Sequence, residues 1–338
     1  MKRLTHLAAL TALGFGLLAA APKQASAAEH TLRVASLAPK NSSWGKVYGV
    51  WEKALSKKSE GRLEVQMFFN GVQGNEDGMV SKMKTGQLDG AALTSVGLSY
   101  IYKNVLVLQL PGVMTKWSEL DQVRSALQPD LEAGLKGAGF RVVGWGDIGL
   151  VRQFSKGFEI HRPDDLKNHR PATWRNEPMG PTIYASIGNV VPVVVDPMEV
   201  LPALRSGSVD SINAPALAAE QLQWTPYLDH VSDQVSVCAV GGMVFRTAAL
   251  DALPADLMKT FEDIQKRASE TQLDRIRKLD AEAYDRLLQK MTLVKMSQAE
   301  RDEWEKLLRK ATRSLARGTF DKALVNKVLK IRGFETVE

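Results

Sequence analysis

The chain has 338 residues, 24% of them charged, and a formal net charge of +6. Three basic residues, Lys2, Arg3 and Lys23, precede the first acidic residue, so the rest of the chain carries only +3. This weak charge argues against a nucleic-acid partner, because nucleic-acid-binding domains concentrate basic residues on one face. The single cysteine, Cys238, excludes an intramolecular disulfide.

The first 27 residues have the pattern of a cleaved secretory signal peptide. Two basic residues precede an apolar stretch at 7–21, and Ala25-Ser26-Ala27 is a small-residue cleavage site. The apolar stretch is shorter than the about 20 residues that a membrane-spanning helix needs, although an uncleaved anchor is the alternative. We therefore expect a mature chain that is exported to the periplasm and does not itself span the membrane.

The first part of the chain alternates predicted strands with predicted helices. This alternation favours a mostly parallel sheet with helices on both faces. The predicted elements are a strand at 31–35, a helix at 44–56, strands at 63–69 and 91–93 on either side of a helix at 77–85, a strand at 105–110, helices near 118–127 and 130–137, and a strand at 140–145.

A second lobe is predicted to begin near Gly149. Its five valines within 190–195 are typical of a buried strand. Its predicted elements are a helical turn at 163–166, a strand at 171–174, a helix at 178–188, a strand at 190–195, a short helix at 221–229 and a strand at 235–245 that returns to the first lobe.

One short unit occurs in each half of the chain. Residues 82–90 and 203–211 both combine the end of an amphipathic helix, a Gly, an Asp three residues later and the start of an apolar strand. The glycines suit helix C-termini, where a positive φ is common. The repeat predicts two similar α/β lobes, and a cleft between two lobes is a common place for a small ligand.

After Pro254 the apolar residues recur every three or four positions, and the next Gly or Pro is Gly318. This pattern predicts one very long helix of about 35 residues, roughly 50 Å in length. A coiled coil is the alternative, but the spacing drifts too much for strict heptads, so we expect a helix that braces both lobes. Ser297 and Glu300 form a capping box for a last helix at 299–317.

Motifs for catalysis are weak or absent in the sequence. Residues 144–149 match G-x-G-x-x-G, but 150–154 read as extended chain, whereas a dinucleotide site needs a helix directly after the glycines. The chain has no Walker A loop, no G-x-S-x-G elbow and no His pair at i, i+4 spacing. Cys238 lies in an apolar strand, where a thiol is usually inert. We therefore expect no catalytic residues, no cofactor and no metal site.

Several motifs resemble the DctP-type solute-binding proteins of tripartite ATP-independent periplasmic (TRAP) transporters. They lie at 61–74, 82–90, 107–111, 163–167 and 199–210, and together they span essentially the whole mature chain. The resemblance implies an α/β, two-lobed periplasmic-binding-protein fold of type II-like topology, with a long helix that spans both lobes.

On this basis the chain divides into a signal peptide and two discontinuous lobes. We place the signal peptide at 1–27, lobe I at 28–149 plus 238–275, and lobe II at 150–237 plus 276–338. A hinge is expected where the chain crosses between lobes, near Gly149 and Val237.

The resemblance also implies a ligand site. The family usually holds an organic acid with an arginine that follows a D-L-K-G motif, and this motif reads Asp165-Leu166-Lys167-Asn168 here. The position of that arginine is Ala172, whereas Arg152 matches the other arginine of the family. The remaining positions that the resemblance places at the ligand are Leu37, Thr94, Asn213, Ala214 and Gly241.

Two ligand classes stay open. Arg175 would replace the missing positive charge from a shifted position and keep a carboxylate ligand. Alternatively, Trp174 would fill the site and favour an apolar or amphipathic ligand, and the chain is similar to a subgroup of receptors that lack the arginine and carry a Trp nearby. Plain core packing is the alternative for Trp174.

The sequence therefore predicts an extracytoplasmic receptor that binds a small molecule in its inter-lobe cleft. The resemblance implies delivery of that molecule to the small and large membrane subunits of a TRAP transporter. An exported enzyme or a sensory receptor on the same scaffold are the alternative functions.

Overall fold

The structure, a computed structural model, describes residues 28–338, so the predicted signal peptide lies outside the described residues. The helices are α1 (Ser43–Lys58), α2 (Glu76–Lys84), α3 (Ser95–Ser99), α4 (Trp117–Gly137), α5 (Met179–Ile187), α6 (Val200–Ser206), α7 (Ala216–Gln221), α8 (Thr247–Asp251), α9 (Ala255–Leu287), α10 (Gln298–Ala316) and α11 (Lys322–Ile331). The strands are β1 (His30–Ser36), β2 (Leu63–Phe68), β3 (Gly90–Thr94), β4 (Phe140–Ser155), β5 (Ala172–Trp174), β6 (Val193–Val195), β7 (Ser211–Pro215), β8 (His230–Ser232), β9 (Val237–Arg246) and β10 (Thr292–Val294). Short 3-10 helices cover Lys103–Gln109, Pro163–Leu166 and Thr225–Tyr227.

One mixed sheet runs through the molecule in the order β10-β8-β4-β9-β3-β1-β2, and β7 also pairs with β4. β1 is parallel to β2 and β3, but β9 is antiparallel to β3 and β4. The prediction of a mostly parallel sheet is therefore wrong, because the two long strands that connect the halves run antiparallel to each other. β5 and β6 form a separate parallel pair.

β4 and β9 join the two halves of the chain. They pair from Phe140 to Val151 on β4, with register shifts between Val142 and Gly144 and between Asp147 and Gly149. Beyond that point β4 pairs with β7 and β8. Gly149 has a φ of +153°, and a Cβ there would lie 2.4 Å from Pro215 Cβ, so a larger residue would strain this crossing. The glycines of 144–149 thus serve the crossing, and the following residues are strand, as expected.

The long helix α9 spans both halves, as predicted. Near its start, Phe261 packs edge-on against Trp51 of α1, with ring centroids 6.2 Å apart. Near its end, Arg286 Nη2 donates to Glu220 Oε2 of α7 at 2.7 Å. Between them, the buried Asp280 accepts the backbone N–H of Leu150 at 2.8 Å and of Leu217 at 3.0 Å. α9 is therefore fixed to both halves and to the crossing strand.

Apolar cores cover both faces of the sheet. On one face α1, α7 and α9 enclose Phe154 and Phe245. On the other face α2, α4 and α11 contribute Met79, Leu120 and Val328 to the second core. α11 thus packs with elements of the predicted lobe I, although the predicted boundary placed it in lobe II.

Some predicted elements differ from the structure. Residues 105–109 of the predicted strand 105–110 lie in a 3-10 helix, because a short apolar run alone does not distinguish a strand from a buried helical segment. The predicted helices at 118–127 and 130–137 are one helix, α4, with Pro129 inside it. Helix 221–229 is reduced to a 3-10 turn that follows α7.

The predicted buried strand at 190–195 is also wrong in part. Only Val193–Val195 form β6, and Val191 and Val194 are 80% and 50% exposed. Among the strands within residues 28–338, β6 pairs only with β5, which leaves its other edge open. The valine content thus indicated a strand but not its burial. None of the helices within residues 28–338 is both long and apolar enough to cross a membrane.

Candidate ligand-binding site

A cavity of about 270 Å³ lies between the two halves of the molecule. β5, α5, β7 and α10 form one side of it, and α2, β3, α3 and β9 contribute the other. Trp174 and Trp224 stand side by side in its wall, with ring centroids 6.2 Å apart and planes tilted by 33°. Further large apolar groups of the wall include Leu166, Ile183, Met296, Trp304 and Leu308. Such a wall suits an apolar or amphipathic molecule.

The uncommitted polar groups of this cavity are neutral. Buried oxygen atoms of Gln153, Gln234 and Thr173 have no hydrogen-bond partner within the described part of the chain. Asn213 Nδ2 donates to the Tyr184 hydroxyl at 3.2 Å, and that hydroxyl donates to the Ala172 carbonyl at 3.1 Å. Because buried polar groups normally have partners, the unpaired oxygens are available to donors of a ligand.

The carboxylates around the cavity are used by the protein itself. Glu76 accepts the backbone N–H of Thr94 at 2.5 Å and its hydroxyl at 2.6 Å. Glu177 accepts the backbone N–H groups of Met179 at 2.5 Å and Gly180 at 2.9 Å, at the start of α5. Burial raises the pKa of both carboxyls, and that of Glu177 rises to about 7.

Arg175 is the only basic residue among the described residues that line the cavity. Its guanidinium lies at the rim, with the side chain 44% exposed. It donates to Asp196 Oδ2 at 3.0 Å and to Glu199 Oε2 at 3.2 Å. The charge of Arg175 is therefore already balanced by two carboxylates of the protein.

Arg152 does not line the cavity. Its guanidinium stacks on the ring of Tyr284 on α9, 3.8 Å from the ring centroid, and Nη1 donates to the Leu150 carbonyl at 3.3 Å. The expectation that Arg152 faces the cleft is wrong, because neighbouring residues of a strand point to opposite faces. Val151 and Gln153 line the cavity instead. Strand alternation was the signal that would have identified Gln153.

The other predicted positions lie at the cleft but in two groups. Thr94, Ala172, Trp174, Asn213 and Ala214 line the large cavity. Leu37 and Gly241 line a neighbouring cavity of about 140 Å³, and the two cavities share several wall residues. Trp174 thus faces a cavity and also packs on the core around it. The small shared wall consists of Glu76, Thr94, Ile148, Pro197, Ala218 and Leu222.

The described residues contain no group of His, Cys, Asp and Glu arranged to hold a metal ion. The buried thiol of Cys238 has its pKa raised to about 12 by burial, so it stays protonated and unreactive. The site therefore consists of an apolar wall, neutral amides and internally paired charges.

Comparison with known proteins decides what class of protein carries this site. The profile of the bacterial extracellular solute-binding proteins, family 7 (DctP), matches residues 34–318. The chain belongs to this family. Members of family 7 are solute receptors and not enzymes, which agrees with the expectation from the sequence and removes the exported enzyme as an alternative.

Relatives of this family 7 chain agree with the assignment. A solute-binding protein of Verminephrobacter eiseniae is 25% identical over 76% of this chain and 76% of its own length. A TRAP periplasmic solute-binding protein of Shewanella oneidensis with bound succinate superposes with a TM-score of 0.83 at 14% identity, over 89% of this chain and 99% of its own. An extracytoplasmic solute receptor of Bordetella pertussis that binds pyroglutamic acid superposes with a TM-score of 0.82 at 15% identity, over 90% and 99%. The two-lobed fold of TRAP solute-binding proteins is thus confirmed.

Proposed function

We propose that this family 7 receptor binds an uncharged, largely apolar solute and delivers it to the small and large membrane subunits of a TRAP transporter. The observation that carries this proposal is the absence of an available positive charge among the described residues of the large cavity. Ala172 occupies the position that the family resemblance assigns to the carboxylate-binding arginine, Arg152 is turned to Tyr284, and Arg175 is paired.

A carboxylate ligand would be unfavourable in this cavity. An ionised carboxylate that leaves water without a cationic partner loses several kcal/mol, and Arg175, the only basic side chain among the described residues of this cavity, is already paired with Asp196 and Glu199. Glu76 and Glu177 line the same cavity, and a carboxyl group offers the ligand no positive charge whether it is protonated or ionised. The ligands named for the structures above, succinate and pyroglutamic acid, are acids, so the cargo of this chain is expected to differ in charge.

The apolar wall supports the second half of the proposal. Trp174 and Trp224 present a continuous aromatic surface, and Leu166, Ile183 and Leu308 extend it. Burial of apolar area gives roughly 25 cal/mol per Å², so an apolar solute gains affinity from this wall without any ion pair.

The proposal includes export and lobe closure. Residues 1–27 serve as the signal peptide that directs the receptor to the periplasm. Lobe I comprises 28–149 plus 238–275 and lobe II comprises 150–237 plus 276–338, with α11 docked on lobe I. The lobes are proposed to close about a hinge near Gly149 and Val237. In this structure they touch across the cleft, where Asn75 Nδ2 of lobe I donates to Asp196 Oδ2 of lobe II at 2.9 Å.

A matched pair of probes tests the charge preference directly. The receptor is titrated with 1-decanol and with decanoate at the same pH, and binding is followed by tryptophan fluorescence and by calorimetry. The proposal predicts that the alcohol binds more tightly than the acid. Tighter binding of decanoate would contradict it.

A further inference from the structure

The smaller cavity next to the large one has polar groups that the proposed function does not use. It has a volume of about 140 Å³ and lies between α1, the crossing strands and α9. Trp44 and Gln265, which are 8% and 6% exposed, both line it. The indole Nε1 of Trp44 and the carbonyl Oε1 of Gln265 are buried and have no partner within residues 28–338.

These two groups differ in hydrogen-bonding character. The Trp44 indole N–H can only donate, and the Gln265 carbonyl oxygen can only accept. The amide nitrogen of Gln265 is already committed, since it donates to Ser269 Oγ at 3.0 Å. Each buried group without a partner destabilises the protein unless a bound molecule forms the missing hydrogen bond with it.

Glycines on the paired strands keep this chamber open. Gly146 of β4 lies opposite Gly241 of β9, and both line the chamber. At Gly144 a Cβ would lie 2.0 Å from Ser269 Oγ and 2.8 Å from Gln265 Nε2. Side chains at these positions would separate the polar residues of α9 from the cleft.

The smaller chamber continues into the large cavity. Glu76, Thr94 and Ile148 belong to the walls of both, and so do Ala218 and Leu222. Both carboxyl groups of the smaller chamber have partners: Asp147 accepts from Arg124 Nη1 and Arg277 Nε, both at 2.6 Å, and Glu76 accepts from the backbone N–H and the hydroxyl of Thr94. The chamber is therefore an extension of the ligand cavity without a free charge among its described residues, and it contains an unpartnered buried donor, Trp44 Nε1–H, and an unpartnered buried acceptor, Gln265 Oε1.

We infer that this chamber is a polar subsite that selects the head group of an elongated, uncharged amphipathic ligand. The head group must accept from Trp44 Nε1–H and donate to Gln265 Oε1, which a hydroxyl or a primary carboxamide does. An ionised carboxylate only accepts and an ether only accepts, so neither satisfies Gln265. The apolar body of the same ligand occupies the tryptophan-lined cavity. This inference rests on the proposed function, because it specifies the ligand of the same cleft.

The test uses the isomers 1-decanol and 1-methoxynonane, which have equal size and differ in the O–H donor. The wild-type protein is titrated with each, and with decanoate, by calorimetry. We expect the alcohol to bind about tenfold more tightly than the ether, since an unpaired buried acceptor is costly. Gln265→Met should reduce this alcohol-to-ether ratio toward one, because it removes the acceptor that only the alcohol satisfies. Trp44→Phe removes a donor that serves both oxygens, so it should weaken the binding of both probes and leave their ratio unchanged.

Trp51→Phe is the matched control. Trp51 is also buried, and its Nε1 has no partner among the described residues, but it lies against Phe245 and Phe261 and lines neither cavity. Trp51→Phe should leave the affinity of each probe, and therefore their ratio, unchanged. Gln265→Met keeps the test decisive if Trp44→Phe does not fold.

The outcomes separate this inference from the proposed function. Equal binding of alcohol and ether to the wild-type protein, unaffected by Trp44→Phe, would overturn the subsite and leave the uncharged cavity standing. Tighter binding of decanoate than of either isomer would overturn the proposed function, and the subsite with it. Failure of both isomers to bind would also overturn the subsite.

Discussion

Glu177 offers a quantitative test of how dry and uncharged the ligand cavity is. Its carboxyl lines the cavity, and within the described part of the chain its oxygens accept the N–H groups of Met179 and Gly180 and no others. Burial raises the pKa of Glu177 from 4.5 to about 7. The perturbation is a pH series from 5 to 8, measured for the wild-type protein and for Glu177→Gln, which keeps the shape but cannot ionise.

The direction of the effect follows from proton binding. Above pH 4.5 the unfolded chain releases the Glu177 proton, whereas the folded protein keeps it up to about pH 7. The folded state therefore binds more protons in this window, and the free energy of unfolding falls as the pH rises through it. Since one pKa unit corresponds to 1.36 kcal/mol, the loss amounts to about 3 kcal/mol by pH 8.

Urea unfolding followed by tryptophan fluorescence provides the free energies. Glu76 and Asp280 also have raised pKa values because of burial, so the wild-type slope contains their contributions. The difference between wild type and Glu177→Gln isolates Glu177, and any constant offset from the changed hydrogen bonding cancels in the pH dependence. The variant should gain up to about 3 kcal/mol on the wild type between pH 5 and pH 8. Parallel curves for the two proteins would refute a buried, protonated Glu177.

Three further substitutions test the site and its support. Ala172→Arg should lower the free energy of unfolding by several kcal/mol, because it buries a charge without a partner. It should also shift the binding preference, measured by calorimetry, from 1-decanol to decanoate. An unchanged preference would count against the role given to position 172. Trp174→Ala should weaken 1-decanol binding by about 10- to 100-fold with little change in melting temperature. The control is Trp117→Ala, which removes a ring that stacks on Arg277 outside the cavity and should lower only the melting temperature. A large loss of stability in Trp174→Ala would instead make Trp174 a core residue. Asp280→Ala should lower the free energy of unfolding in urea by about 2–4 kcal/mol, because two backbone N–H groups lose their carboxylate acceptor. A decrease of less than about 1 kcal/mol would show that Asp280 does not fix α9 to the crossing strand.

The sequence determined the elements whose signals are local. α9 was predictable because its apolar residues follow the helical period for 33 residues without Gly or Pro inside it. The capping box at Ser297 placed the start of α10 in the same way, since its side-chain and backbone bonds lie within four residues. The run 103–109 was not predictable, because its burial by α4 and α11 comes from distant parts of the chain.

The candidate site was predictable in outline only. Ala172, Thr94 and Asn213 were placed at the cleft by family position, and the cavity includes all three. The pairing of Arg175 with Asp196 and Glu199 depends on how β5 and β6 lie together, which the sequence does not state. Family position alone puts Arg152 at the cleft, whereas strand alternation turns its side chain toward α9.

The most direct test of the uncharged cavity is mass spectrometry of the molecules that the receptor retains when it is purified without denaturation from the compartment to which it is exported. The account predicts an uncharged molecule with an apolar body and one hydroxyl or carboxamide group. Recovery of succinate or another small dicarboxylate would contradict it.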